Sequence, residues 1–227
     1  MFRYDQHRNL TGRTGTTDTL SSARAKCGNC GRSGSRSLDV VIEVVEYDPT
    51  WPERFGRLRD LYASVMAEAG VPVVSIEHVG STAVPGLAAK PILDCDIVVE
   101  AEQVMRASEA LEHLGFIPRG ELGIPQRWAF YEPERLSGTN TYVVVAGSLA
   151  LKNHLAVREI LRENDALRAE YGAVKLSIGL TSADIYEYGA GKNTTVQRIL
   201  EEADLSASER ASIDSNQVPV TQRPDVT

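Results

Sequence analysis

The chain has 227 residues, 42% of them hydrophobic and 24% charged, which is ordinary globular usage and excludes disorder, collagen and coiled coil as readings of the whole. The formal net charge of −7 is unevenly spread, because residues 1–38 hold seven Lys/Arg against Asp5 and Asp18, leaving 17 basic against 29 acidic residues for the rest. A domain that acidic is a poor nonspecific binder of duplex phosphates, so nucleic acid is disfavoured as a partner, and no stretch reaches the roughly 18 to 20 apolar residues of a membrane span.

In chain order, residues 1–38 are Ser, Thr, Gly and Arg with almost no large apolar side chain, and read as a disordered basic extension. The extension is Arg-rich and acid-poor like an organellar transit peptide but lacks an amphipathic stripe, so a dispensable extension stands as the other reading. Cys27 and Cys30 make half of a zinc ribbon whose second half is missing, since Cys95 stands alone and His7 is the one nearby imidazole. Three cysteines build no disulfide framework and fit a reducing compartment, which places the protein in the cytoplasm.

A domain is expected over residues 39–203. It opens on the β-branched stretch Val40–Tyr47, a strand by composition. Thr50 and Glu53 form a capping box with Pro52 in the first turn, and Phe55, Leu58, Leu61, Tyr62, Val65 and Met66 continue at helical spacing to Gly70. Val73–Val79 reads as a second strand, Gly80–Lys90 as a loop or a loop plus short helix, and Ile92–Val99 as a third strand. Val104, Met105, Ser108, Leu111 and Leu114 line a helix stopped by Gly115. Phe116–Tyr131 is a Gly- and Pro-rich excursion flanked by short strands, and Asn140–Ala146 is another strand. After Ser148 the apolar spacing predicts three helices. The fold expected is α/β (α+β), a mixed sheet flanked by helices with a helical C-terminal part, followed by a disordered tail over 204–227.

The chemistry concentrates between Ile76 and Val99. Asp94 and Asp96, two apart on a strand, point their carboxylates to one face. Like charges held so close need relief, and Mg²⁺ supplies it by taking one or two carboxylates and filling its other positions with water or phosphate oxygens. Upstream, Gly80 lets backbone N–H groups approach an anion and Ser81 adds a hydroxyl. Each motif alone is common by chance: paired acids on an exposed strand are usually solvated, and Gly-Ser is usually a turn. Together, on successive strands, they supply what phosphoryl or nucleotidyl transfer requires.

The Gly-Ser, twelve-residue spacer, Asp-x-Asp arrangement resembles the nucleotidyltransferase superfamily of the DNA polymerase beta type. The runs Tyr47–Pro52, Ile76–Asp96, Arg119–Pro125, Asn153–Arg158 and Tyr171–Lys175 resemble the GrpB family over roughly residues 40–202. The resemblance implies a nucleotidyltransferase-like fold, with Gly80 and Ser81 on the nucleotide phosphates and Asp94 and Asp96 as catalytic residues binding Mg²⁺. Lys90, Arg127, Lys175 and Lys192, together with Arg158, are placed near the triphosphate. The function implied is metal-dependent transfer of a nucleoside monophosphate from a nucleoside triphosphate to an unknown acceptor. The alternative is a non-catalytic nucleotide-binding module linked to coenzyme A metabolism, since a similar domain is fused to dephospho-CoA kinase in some bacteria.

The superfamily often supplies a third carboxylate from a later strand, and Asn140–Ala146 contains none. Thr141 and Val143 are read as the corresponding positions, with Glu121, Glu132 and Glu134 left as candidates to reach in. His78 reads as a structural residue bonding the loop, and His113 and His154 as surface or packing histidines. Gly189–Lys192 is no P-loop, because Tyr186 stands where the first glycine belongs and Asn193 where Ser or Thr does.

Overall fold

The structure, a computed structural model, describes residues 43–182 and 185–215. The basic extension 1–38 and its Cys27–Cys30 pair lie outside the described residues.

The first helix, α1 (Trp51–Glu68), buries Trp51, Phe55, Leu58, Tyr62 and Met66 at the spacing the sequence shows. Its start is not the expected capping box. Thr50 is the N-cap but its side chain makes no cap bond; Asp48 accepts from the Thr50 amide at 2.8 Å, and Glu53 turns outward to Arg57. Gly70 ends the helix in the left-handed region at φ 63°, which lets the Val71 amide reach back to Met66 O at 2.9 Å.

Strands β1 (Ser75–Val79), β2 (Leu93–Val99), β3 (Ile117–Gly120), β4 (Arg127–Tyr131) and β5 (Thr139–Val145) form one mixed sheet in the order β1-β2-β5-β4-β3. The β2–β5 pair is parallel and the other pairs are antiparallel. The strand expected at Val40–Tyr47 is reduced, within the described residues, to a single bridge between Val45 and Ala89. Its partner is a loop, which offers no run of backbone groups to extend the pairing.

Alternation divides the sheet into two unlike faces. Leu93, Cys95, Ile97, Val99, Val143 and Val145 meet α1 and the helix α2 (Val104–His113) in an apolar core. Asp94, Asp96, Asn140 and Tyr142 are in register on the opposite face. That face is covered by α3 (Leu149–Glu163), beyond which α4 (Asp165–Thr181) and α5 (Ile185–Glu202) pack around Leu161, Leu167, Tyr171, Val196, Ile199 and Leu200. Val84 and Leu87 from the loop after β1 enter the same cluster, so the helical part is fastened directly to the Gly80–Lys90 segment.

A sixth helix, α6 (Ala207–Ser215), occupies part of the segment expected to be a tail. Ile213 and Leu205 are buried in the helical cluster, and Lys152 on α3 pairs with Glu209 at 2.7 Å. Its start carries the reciprocal bonds of a capping box: the Ser206 amide donates to Glu209 Oε2 at 2.8 Å and the Glu209 amide to Ser206 Oγ at 3.3 Å.

Candidate functional site

Strand β1 delivers the chain to Gly80, whose φ of 71° favours glycine. A Cβ built there would stand 2.2 Å from Asp94 Oδ2, so only a glycine lets this backbone approach the carboxylate. The short 3-10 turn Ser81–Ala83 follows. His78 and Thr82 hold this turn through an Nε2–Oγ1 contact of 3.0 Å, the Thr82 hydroxyl donates to Ile92 O at 3.2 Å, and His78 stacks on Phe55 at 4.4 Å. Burial, with Arg162 and Arg158 nearby, lowers His78 to about 4, so the ring is neutral and serves the fold.

Asp94 and Asp96 are both buried, at 5% and 0% exposure. Asn140 on the parallel neighbour donates to Asp94 Oδ1 at 2.7 Å. His154 on α3 meets Asp96 Oδ2 through Nδ1 at 2.7 Å. Burial raises Asp94 to about 7, helped by the Asp96 charge and opposed by the Asn140 bond and Lys192. Burial lowers His154 although Asp96 pulls it the other way, so the neutral ring donates Nδ1–H to the carboxylate. Asp96 Oδ1 is buried without a hydrogen-bond partner among the described residues.

His154 therefore belongs beside the acids and is not the surface or packing residue expected. The third position also differs from expectation. Asn140 and Tyr142, not Thr141 and Val143, stand opposite Asp94 and Asp96. Thr141 faces the apolar side and bonds Tyr62 at 2.6 Å. Among the described residues none of Glu121, Glu132 and Glu134 groups with the pair as a metal site, and Glu121 accepts from the Gln126 amide at 2.6 Å. Among the described residues no three His, Cys, Asp or Glu side chains group as a metal site.

Ser81, Lys90, Asp94, Asn140, Lys175 and Lys192 line one cavity, joined by Tyr171 and Tyr188. Lys175 and Lys192 are buried at 3% and 6% exposure. Lys175 Nζ donates to Ala88 O at 2.7 Å, and Lys90 and Lys192 each place Nζ 4.4 Å from the Tyr188 ring centroid. Burial lowers Lys90 to about 8, against the pull of Asp94, and lowers Lys192 to about 7, with Lys90 adding to the effect. Lys175 is driven well below its ordinary value by burial and by Lys192. Gly191 makes the approach of α5 to α4 close, since a Cβ there would meet Ile178 at 3.1 Å.

Of the expected phosphate and metal ligands, Gly80, Asp96, Arg127 and Arg158 do not line this cavity. Arg127 is buried at 1% exposure on the carboxylate face, 4.4 Å over the Tyr142 ring, with Nε and Nη1 unpartnered among the described residues. Its strand position, across β5 from the acids, holds it away from the lysines. Arg158 bonds Glu77 Oε2 at 2.8 Å and His78 O at 2.9 Å, clamping α3 to the sheet edge.

The donor set fits a hard divalent cation. Asp96 Oδ1 is orphaned, Asp94 Oδ2 lies where Gly80 leaves room, and oxygen donors of this kind suit Mg²⁺.

The model of the family described as GrpB protein matches residues 41–202. The chain belongs to the GrpB family. UPF0157 protein YqkA of Bacillus subtilis is 30% identical over 164 residues, 71% of this chain but 47% of that relative, so the chain spans about half of it. A UPF0157 protein of Halalkalibacterium halodurans is 33% identical over 172 residues, covering 74% of this chain and 85% of the relative. Among solved structures, GrpB from Enterococcus faecalis superposes with a TM-score of 0.61 at 31% identity, covering 71% of this chain and 96% of that one. Among the described residues, no helix of this GrpB-family chain is long and apolar enough to cross a membrane.

Proposed function

We propose that this GrpB-family chain is a metal-dependent nucleotidyltransferase that moves a nucleoside monophosphate from a nucleoside triphosphate to an acceptor, acting in the cytoplasm. The observation that carries the reading is convergence: Ser81 after the Gly80 turn, Asp94 of the buried Asp-x-Asp pair and three lysines from separate elements line one cavity. Asp94 and Asp96 would hold Mg²⁺, which when bound neutralises phosphate charge and orients the α-phosphate for in-line attack. Gly80 and Ser81 cradle phosphate oxygens. Lys90, Lys175 and Lys192 bind the β- and γ-phosphates and balance the charge of the departing pyrophosphate. Asn140 and His154 touch the acids and fix their orientation.

A second reading, a nucleotide-binding module without transfer activity and linked to coenzyme A metabolism, is favoured by one observation. The β5 positions opposite the acids are Asn140 and Tyr142, so the strand offers no carboxylate to take the acceptor proton. Calorimetric titration with Mg²⁺ and each triphosphate, paired with a pyrophosphate-release assay over a panel of acceptors, separates the readings. Binding that disappears in Asp94→Asn/Asp96→Asn, with metal-dependent pyrophosphate release, supports transfer. Binding without release supports the module, and no binding removes both.

A further inference from the structure

The lysine cavity is more particular about charge than about shape. It encloses about 60 Å³, well below the roughly 300–1,000 Å³ of pockets that swallow a drug-sized ligand. Room of that size suits phosphate groups, and a nucleoside would have to lie outside. Three lysine amines share the cavity with one carboxyl group, Asp94. Lys175 and Lys192 are almost wholly buried. Uncompensated ammonium groups are costly to bury, which is why burial holds all three amines below their ordinary values. A ligand with at least two negative charges at one end supplies the partner charge that lets them take up protons.

The groups that would read a nucleobase are already engaged. Stacking needs a free ring face, yet Tyr171 and Tyr188 are each 3% exposed. Tyr188 carries the ammonium groups of Lys90 and Lys192, and Lys175 lies 5.5 Å from the Tyr171 centroid. A stacking base would have to displace a cation from a ring it already holds. Within the cavity, reading base edges needs free amides or hydroxyls, yet Asn140 donates to Asp94, Ser81 bonds Tyr171, and Thr82 is taken by His78 and Ile92 O.

We infer that the cavity recognises its ligand by the polyphosphate arm alone and is indifferent to the base. Its ligand class is any nucleoside triphosphate, and inorganic tripolyphosphate with them. The inference rests on the nucleotidyltransferase reading for the position of the triphosphate, and it adds what that reading leaves open, the base.

The test is a competition titration on the full chain in Mg²⁺, with ATP, GTP, CTP, UTP, inorganic tripolyphosphate and adenosine as probes. The four triphosphates are expected to bind within about threefold of one another and tripolyphosphate within about tenfold of them, with adenosine failing to compete. A preference of about tenfold or more for one base, or failure of tripolyphosphate to compete, overturns the inference while leaving the proposed function standing. Binding of tripolyphosphate but of no nucleoside triphosphate overturns the proposed function and the triphosphate half of the inference together. Lys192→Met supplies a second readout: it is expected to weaken all four triphosphates and tripolyphosphate by the same factor, about tenfold, the worth of one charged hydrogen bond. A factor that varies with the base counts against the inference.

Discussion

The two faces of the sheet differ in what they bury. Toward α1 and α2 the strands offer Cys95, Ile97, Val99, Val143 and Val145, all at or below 7% exposure and all apolar. Toward α3 the same strands offer Asp94, Asp96, Asn140 and Tyr142, with Arg127 from the next strand and His154 from above. Burial on the first face releases water and stabilises the fold in proportion to apolar area. Burial on the second costs free energy unless each charge finds a partner, and Asp96 Oδ1 and two nitrogens of Arg127 find none among the described residues. The α1 side holds the chain together, and the α3 side carries charges that a folded core alone would not keep.

Substitutions that separate the faces should divide stability from binding. Ile97→Ala on the apolar face is expected to cost about 2 to 5 kcal/mol in a denaturant titration while leaving the triphosphate affinity of the folded protein unchanged. A matching loss of affinity would show that the faces are not independent. On the polar face, Asp96→Asn should reverse the pattern, lowering metal-dependent triphosphate affinity by about 100-fold or more with little loss of stability, since the orphaned oxygen of a buried carboxylate is replaced while Asn keeps an oxygen to accept from His154. A collapse of its melting temperature instead would make Asp96 part of the core.

Smaller effects sharpen the same contrast. His154→Gln, which removes the Nδ1 bond to Asp96, is expected to weaken Mn²⁺ binding by about 10- to 100-fold in an electron paramagnetic resonance titration, as loss of a ligand's supporting partner does. Wild-type Mn²⁺ affinity in that variant would return His154 to a packing role.

The lysines give a pH signature. Burial holds Lys192 near 7 in the folded chain, against 10.5 when unfolded, so between those values the unfolded state carries the proton and the native state does not. Stability of the metal-free protein should therefore rise with pH from about 7 to about 10, and Lys192→Met should flatten that slope. A fall in stability across the window in wild type would contradict it. The smallest effect is expected at the start of α1, where Asp48→Ala should lower the melting temperature slightly and leave binding unchanged.

The comparison also accounts for how much was legible in the sequence. Helices α1 to α5 and strands β2, β4 and β5 follow from apolar period alone, because each buries a stripe or face that the residues themselves display. The Asp94–Asp96 pair and Gly80–Ser81 were readable because their geometry is local. What depends on contact between distant segments was not. The register of β5 against β2 decides whether Asn140 and Tyr142 or Thr141 and Val143 face the acids, and no feature of either strand fixes that register. The placing of His154 depends on the rotation of α3 over the sheet, and that of Arg158 on the same helix.

Two pairs of residues carry a usable signal. Asn153 and His154 are buried polar side chains on the face of α3 that its apolar pattern turns inward. Ser206 and Glu209 have capping-box spacing, but Ala207–Ser215 has one large apolar anchor, Ile213, too few to predict a helix from period. Thr50 and Glu53 have the same spacing and form no such box, since Asp48 reaches the Thr50 amide first.

On the proposed function, the polar face is a metal-dependent triphosphate site. A calorimetric titration of Mg²⁺ with nucleoside triphosphate into the full chain, and into its Asp94→Asn/Asp96→Asn variant, tests it most directly. The account predicts binding to the wild type that requires Mg²⁺ and is absent from the variant, whose circular dichroism spectrum matches wild type. Equal binding to both proteins, or binding to neither, would contradict it.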